Sequence, residues 1–348
     1  MILVLGSDPR APMLARRLDG RHAADFDATS MRDVRRVVAE HEPTAVVWMR
    51  FWDDIAAAER DENRAYLENS EAVISLAAAT MEFSATPVLV STPELFGQRG
   101  GPWAESDDPT PRSVWAESRR RGEVLLMRAA PHAVVLRVGP LLSDDLSVER
   151  AALAAGVWTG PSRRVSPISV GALATSIRAV LAAKAKGVVH VTADEAPVRE
   201  HELWTSIAEA LGVAPTAVRH RQDDHLAPNA GMRADRLGKM LDGPLPSWRT
   251  VLEGPAPAPA ATEPAPTDNT WARTSQYTAT RDVLARGDSS LGEGPADLFV
   301  ERGKIALTVV KDGEESDRIV PAESAANIPA GATWSYVALA DSVVFGVR

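Results

Sequence analysis

The chain has 348 residues, 45% hydrophobic and 24% charged, with a formal net charge of −9. That length exceeds one typical domain and predicts two. The acidic balance excludes nucleic acid as a partner, because phosphate binding needs a Lys/Arg surplus. The absence of cysteine excludes disulfides, thiolate metal sites and a cysteine nucleophile.

Ile2–Leu5 reads as a continuous apolar strand; no basic region precedes it, so a buried strand is expected there and not a signal peptide. Residues 13–18 form the next helix. Ser30 caps a second helix, with Met31, Val34, Val37 and Val38 at helical spacing. A strand at 44–48 is followed by a long helix from about 60 to 83, a strand at 87–91, a helix at about 113–129 and a strand at 133–138. Uninterrupted β-branched runs alternating with helices predict a parallel sheet covered on both faces. From about Asp144 to 253 a smaller cap region follows, with a strand at 187–192 and an amphipathic helix at 202–211. Residues 254–269 are a Pro/Ala-rich spacer, which favours neither helix nor ladder. Residues 270–348 predict a small all-β unit, with Lys311-Asp312-Gly313-Glu314 as a hairpin turn. No apolar run reaches the roughly 18–20 residues of a membrane span. A cytoplasmic protein without a membrane partner is expected.

Five segments carry a resemblance: Gly6 after the first strand, Ser91-Thr92-Pro93-Glu94-Leu95-Phe96-Gly97, Pro111-Arg112-Ser113-Val114-Trp115, Leu136-Arg137-Val138-Gly139-Pro140 and Leu245-Pro246-Ser247-Trp248-Arg249. In order and spacing, residues 1–253 resemble the extended short-chain dehydrogenases/reductases, in particular their dTDP-4-dehydrorhamnose reductase and nucleotide-sugar epimerase branches. The resemblance implies a Rossmann-type, doubly wound parallel sheet. It also implies a nicotinamide dinucleotide on the strand ends and a nucleotide-linked sugar held by the cap.

Several residues depart from that pattern. The family's G-x-x-G-x-x-G loop is here Gly6, Pro9 and Pro12. Proline removes an N–H and adds a ring where the pyrophosphate must approach closely, so NAD(P) is expected to be absent or weakly bound. Asp25 or Asp27, after the second strand, either meets a ribose hydroxyl or is plain surface. The family's catalytic Tyr and Lys positions are Trp115 and Arg119. An indole N–H only donates, and arginine does not titrate, so the family's proton transfer is not expected. Thr92 matches the hydroxyl that meets the substrate carbonyl, and Glu94 matches the Glu of a Thr-Asp-Glu trio whose Asp is here Pro93. These two side chains either perform acid/base chemistry or simply cap the strand and its turn. Trp48, Arg50, Phe51 and Trp52, after the third strand, either fill the nicotinamide cavity or line a new pocket. Arg137 is assigned to that pocket or to a structural pair with a carboxylate. His220 to His225 reads as a solvated loop, and no metal is expected.

In the tail, residues 327–334 resemble the second cupin motif, P-x-G-x-x-H, with Trp334 at the His position. A cupin-like barrel here is expected to be metal-free, with Trp334 and Tyr336 in its core, and to bind a small ligand or mediate a homodimer. Three functions remain in view. The first is an enzyme that performs elimination, isomerisation or cyclisation on a small-molecule or sugar-like intermediate. The second is a non-catalytic regulatory or scaffolding subunit. The third is a divergent NAD(P)-dependent nucleotide-sugar reductase.

Overall fold

In the computed structural model the chain divides into two units, Met1–Pro257 and Ala258–Arg348. The structure describes residues 1–253 apart from 51, 53, 98, 99, 161, 215, 216 and 221–224, together with the strands between 270 and 347. The Pro/Ala spacer, Phe51, most of the His220–His225 segment and the turn at 329–332 lie outside the described residues.

In the first unit, β1 (Ile2–Leu5), β2 (Arg21–Ala23), β3 (Ala45–Trp48), β4 (Thr86–Ser91), β5 (Val134–Val138) and β6 (Gly187–Val191) form one parallel sheet, ordered β6-β5-β4-β3-β1-β2. Side chains alternate across the pleat, so the sheet feeds two cores. Val4, Val47, Val90, Leu136 and Val138 pack with Leu14 of α1 (Ala11–Arg17) and Ile177 of α8 (Val170–Ala182). Leu5, Val46, Trp48, Leu89 and Val135 pack with Val37 of α2 (Met31–His41), Leu76 of α5 (Ala72–Glu82) and Leu126 of α6 (Val114–Ala129). From β1 the chain steps outward to β2 and then returns past β1 to β3. That reversal leaves a crevice at the carboxyl ends of β1 and β3, where open α/β sheets hold their ligands.

Two elements differ from the sequence expectation. Ser30 does cap α2, its hydroxyl accepting from the Asp33 N–H at 3.3 Å, but Met31 is 50% exposed in the first turn and contributes no core. The single helix expected at 60–83 is broken. It appears as α3 (Ile55–Arg60), α4 (Glu62–Tyr66), a π-helical turn at Leu67–Glu71, and α5. Asp61 ends α3 and caps α4 through the Arg64 N–H at 3.0 Å. The π turn buries Asn69 and Ser70 against α6, where the Ser70 hydroxyl donates to Ser118 O at 2.6 Å. Gly122 makes the approach possible: a Cβ there would lie 2.3 Å from Asn69 O.

The cap is built by α7 (Ser147–Ala155), α9 (Glu200–Ala210) and short two- and three-stranded ladders around Leu142, Leu153, Val165, Leu203, Ile207 and Trp248. The second unit contains two antiparallel sheets of five and four strands. The expected hairpin is present, with Lys304–Lys311 paired to Glu314–Pro321 and ending at Lys311↔Glu314. These two sheets do not by themselves show the cupin barrel that was expected. Among the described residues, no helix is long and apolar enough to cross a membrane.

Candidate active site

A cavity of about 190 Å³ opens at the carboxyl ends of β1, β3, β4 and β5. Asp8 and Arg10 reach it from the loop after β1, Met49 follows β3, Ser91 and Thr92 end β4, and Val138 and Gly139 end β5. Trp115 and Arg119 enter from α6, one helical turn apart. Their spacing puts both on one face, and the Arg119 guanidinium sits 5.1 Å over the Trp115 ring. Thr92 caps the short turn Pro93–Leu95 by accepting from the Glu94 N–H at 3.2 Å. The hydroxyl hydrogen is therefore left to donate to a ligand.

Trp115 is 6% exposed, and its indole N–H donates to Trp52 O at 2.9 Å. It holds the segment after β3 in place and does not offer a proton to the cavity. Asn69 grips the same residue. Its Oδ1 accepts from the Trp52 N–H at 2.9 Å, and its Nδ2 donates to Trp52 O at 3.2 Å. Trp52 is half-buried beside Trp115 and carries Arg64 over its ring at 4.6 Å.

Several expected site residues lie elsewhere, and the pleat explains two of them. Met49 faces the cavity, so its strand neighbour Trp48 faces the opposite core; Trp48 is fully buried and edge-on to Phe26 at 5.8 Å. Likewise Val138 faces the cavity and Arg137 faces α6. There Arg137 pairs with Glu123 through bonds of 3.1 and 2.7 Å, beneath Phe96 at 5.1 Å. Both assignments to a substrate pocket are corrected; Arg137 takes the structural alternative. Arg50 makes a 3.5 Å ion pair with Glu68 and is not among the cavity's lining residues.

Glu94 is also corrected as an acid/base candidate. Both its oxygens accept from the Arg163 guanidinium, one of them also from the Ala227 N–H at 3.0 Å. Burial pushes its carboxyl above the ordinary value, opposed by the Arg163 charge. It ties the end of β4 to the cap. Asp27 is exposed and accepts the Thr29 N–H and hydroxyl at 2.9 and 2.7 Å, bonds that hold its carboxyl below the usual range. Gly6 packs against the segment after β3: a Cβ there would lie 2.4 Å from Met49 O.

Residues 13–254 match the family described as the RmlD substrate binding domain. The chain belongs to this family, the dTDP-4-dehydrorhamnose reductase-like group of the extended short-chain dehydrogenases/reductases. It is 29% identical over 257 residues to the dTDP-4-dehydrorhamnose reductase of Mycobacterium tuberculosis, covering 68% of this chain and 84% of that one. A probable dTDP-4,6-dihydroxy-2-methyloxan-3-one 4-ketoreductase of Streptomyces antibioticus is 28% identical, covering 70% and 87%. In fold, the chain is similar to the Bacillus anthracis dTDP-4-dehydrorhamnose reductase, with a TM-score of 0.63 at 18% identity over 72% of this chain and 95% of that one. That relative was solved in complex with NADP. The finding overturns the expectation, drawn from Pro9 and Pro12, that the cofactor is absent or weakly held. The match ends at residue 254 and lends nothing to a cupin assignment of the second unit.

Asp8, Arg10, Ser91 and Met49 were not singled out from the sequence. Only Arg10 carried a signal, a lone charge between two prolines in a loop expected to be glycine-rich.

Proposed function

We propose that the first unit is an NAD(P)-dependent reductase that converts a keto group of a nucleotide-linked sugar to an alcohol. The observation that carries this reading is the cavity at the sheet's switch point, with Thr92 and Arg119 both on its wall. The residues present fit a dinucleotide. Gly6 lets the loop after β1 pack closely on the Met49 backbone, and Arg10 adds a cation whose Nε is buried without a hydrogen-bond partner.

When bound, the reduced nicotinamide supplies a hydride. Thr92 donates its hydroxyl hydrogen to the ketone oxygen and orients it. Arg119 supplies a fixed positive charge where the oxygen gains negative charge, and the cost of organising that charge is met in folding. Arg119 cannot give up its proton, so the proton that completes the alcohol reaches the oxygen from water through the Thr92 hydroxyl. Trp115 walls the cavity and limits water around the oxygen. An elimination or isomerisation has less support, because Glu94, the carboxylate proposed as its base, is committed to Arg163.

Fluorescence titration with NADPH and NADH, followed by consumption of the reduced dinucleotide with dTDP-4-dehydrorhamnose, tests the reading. Saturable binding and turnover are expected, with Thr92→Val lowering kcat by about 100-fold. No binding of either dinucleotide would remove the reductase reading.

A further inference from the structure

The loop between β1 and α1 accounts for its N–H groups in an unusual way. Pro9 and Pro12 have none. The Arg10 N–H donates to Asp8 Oδ1 at 2.7 Å, and the Ala11 N–H donates to Asp8 O at 2.9 Å. All four positions from 9 to 12 are thus closed as backbone donors to a phosphate. A diphosphate that meets residues 9–12 requires a side-chain donor.

Arg10 is placed to be that donor. It lines the cavity with its guanidinium held between two carboxylates of unequal character. On one side, Nη2 meets Glu149 Oε1 at 3.2 Å. Glu149 is fully buried in the first turn of α7 and accepts from the Ser143 N–H at 3.2 Å and from the Ser143 hydroxyl. That carboxylate is a fixed anchor. On the other side, Nη1 meets both Asp8 oxygens at 3.3 and 3.4 Å, from a side chain that is 27% exposed. Asp8 is the looser partner, and its charge has the same sign as a diphosphate.

We infer that Arg10, positioned by Glu149, is the diphosphate-binding group of this chain, and that the diphosphate takes the edge of Arg10 now held by Asp8. The inference rests on the reductase reading above. Arginine suits the exchange, because its planar fork can keep a carboxylate on one edge while binding phosphate oxygens on another. Glu149 is a positioning residue: it fixes the direction of the fork and touches no ligand.

The test is NADPH titration of the full chain and its variants, at two salt concentrations, with inorganic pyrophosphate as a competing probe. Arg10→Met is expected to weaken NADPH binding by about tenfold or more, and Arg10→Lys to restore part of it. The same loss should flatten the salt dependence and abolish competition by pyrophosphate, which a purely structural lesion would not do. Glu149→Gln should weaken binding and keep the salt dependence. Asp8→Asn removes the competing charge on the open side, keeps an amide oxygen for the Arg10 N–H, and should tighten binding severalfold; it also keeps the inference testable if Arg10→Met does not fold. Arg10→Met binding within about twofold of the parent, or Asp8→Asn binding more weakly, would overturn the assignment and leave the reductase reading intact. A parent chain that binds neither NADPH nor NADH would overturn that reading and this one with it.

Discussion

Replacing Glu94 by glutamine separates its structural role from a catalytic one. The carboxylate and Arg163 are both nearly buried, with side-chain exposures of 11% and 8%. At an effective dielectric of about 20, a contact of about 3 Å between unit charges is worth roughly 5 kcal/mol. Glu200 lies 3.2 Å from Arg163 Nε and retains part of the compensation. Burial of the Glu94 charge, which raises its pKa, offsets a further part. The net loss falls at the lower end of the range for breaking a buried pair, about 3 kcal/mol. For a unit of this size that is a drop in Tm of roughly 6–12 °C. Calorimetry should record that fall, while NADPH affinity measured well below the transition should be unchanged. A variant with the parental Tm and no turnover would refute the reasoning and return Glu94 to the chemistry.

Two further outcomes follow from the packing. Gly122→Ala places a methyl against Asn69 O and should cost about 1–3 kcal/mol by overpacking, read as a lower denaturant midpoint at unchanged slope. His190 is fully buried on β6. It is faced by Arg137, Glu105, Trp103 O and Arg233 O, and burial, reinforced by Arg137, lowers its pKa below 6.5. Its imidazole is neutral in the folded state when the unfolded chain already takes up a proton. Stability is therefore full above pH 6.5 and falls below it by up to about 1.4 kcal/mol per pH unit, until the folded-state pKa is reached. Denaturant titrations between pH 7.5 and 5 measure this slope, which should flatten in His190→Gln.

The sheet was legible because its strands include continuous apolar runs such as Ala45–Trp48, which a parallel sheet buried on both faces requires. The π turn within the 60–83 segment was not, because it adds a residue without disturbing composition, and Gly122, which lets it approach α6, lies 51 residues beyond Glu71. The position of the site was legible at Thr92, Trp115 and Arg119, which family spacing places on one wall. The direction of each strand side chain was not. A one-residue difference decides whether Trp48 or Met49, Arg137 or Val138, meets the cavity, and that parity is fixed by where the strand enters the sheet. The charge partners of Glu94 and Arg10 come from the cap, at Arg163 and Glu149, and no local pattern announces them.

The Trp52 carbonyl accepts from two donors at once, the Trp115 indole and the Asn69 amide. A carbonyl oxygen has two lone pairs, and both are engaged. Position 115 is therefore coupled to the π turn through one atom. Trp115→Phe would withdraw one of those donors and loosen the segment that Trp115 holds. The indole at 115 is thus a structural tie as much as a wall of the cavity, and a change there is felt 46 residues away at Asn69.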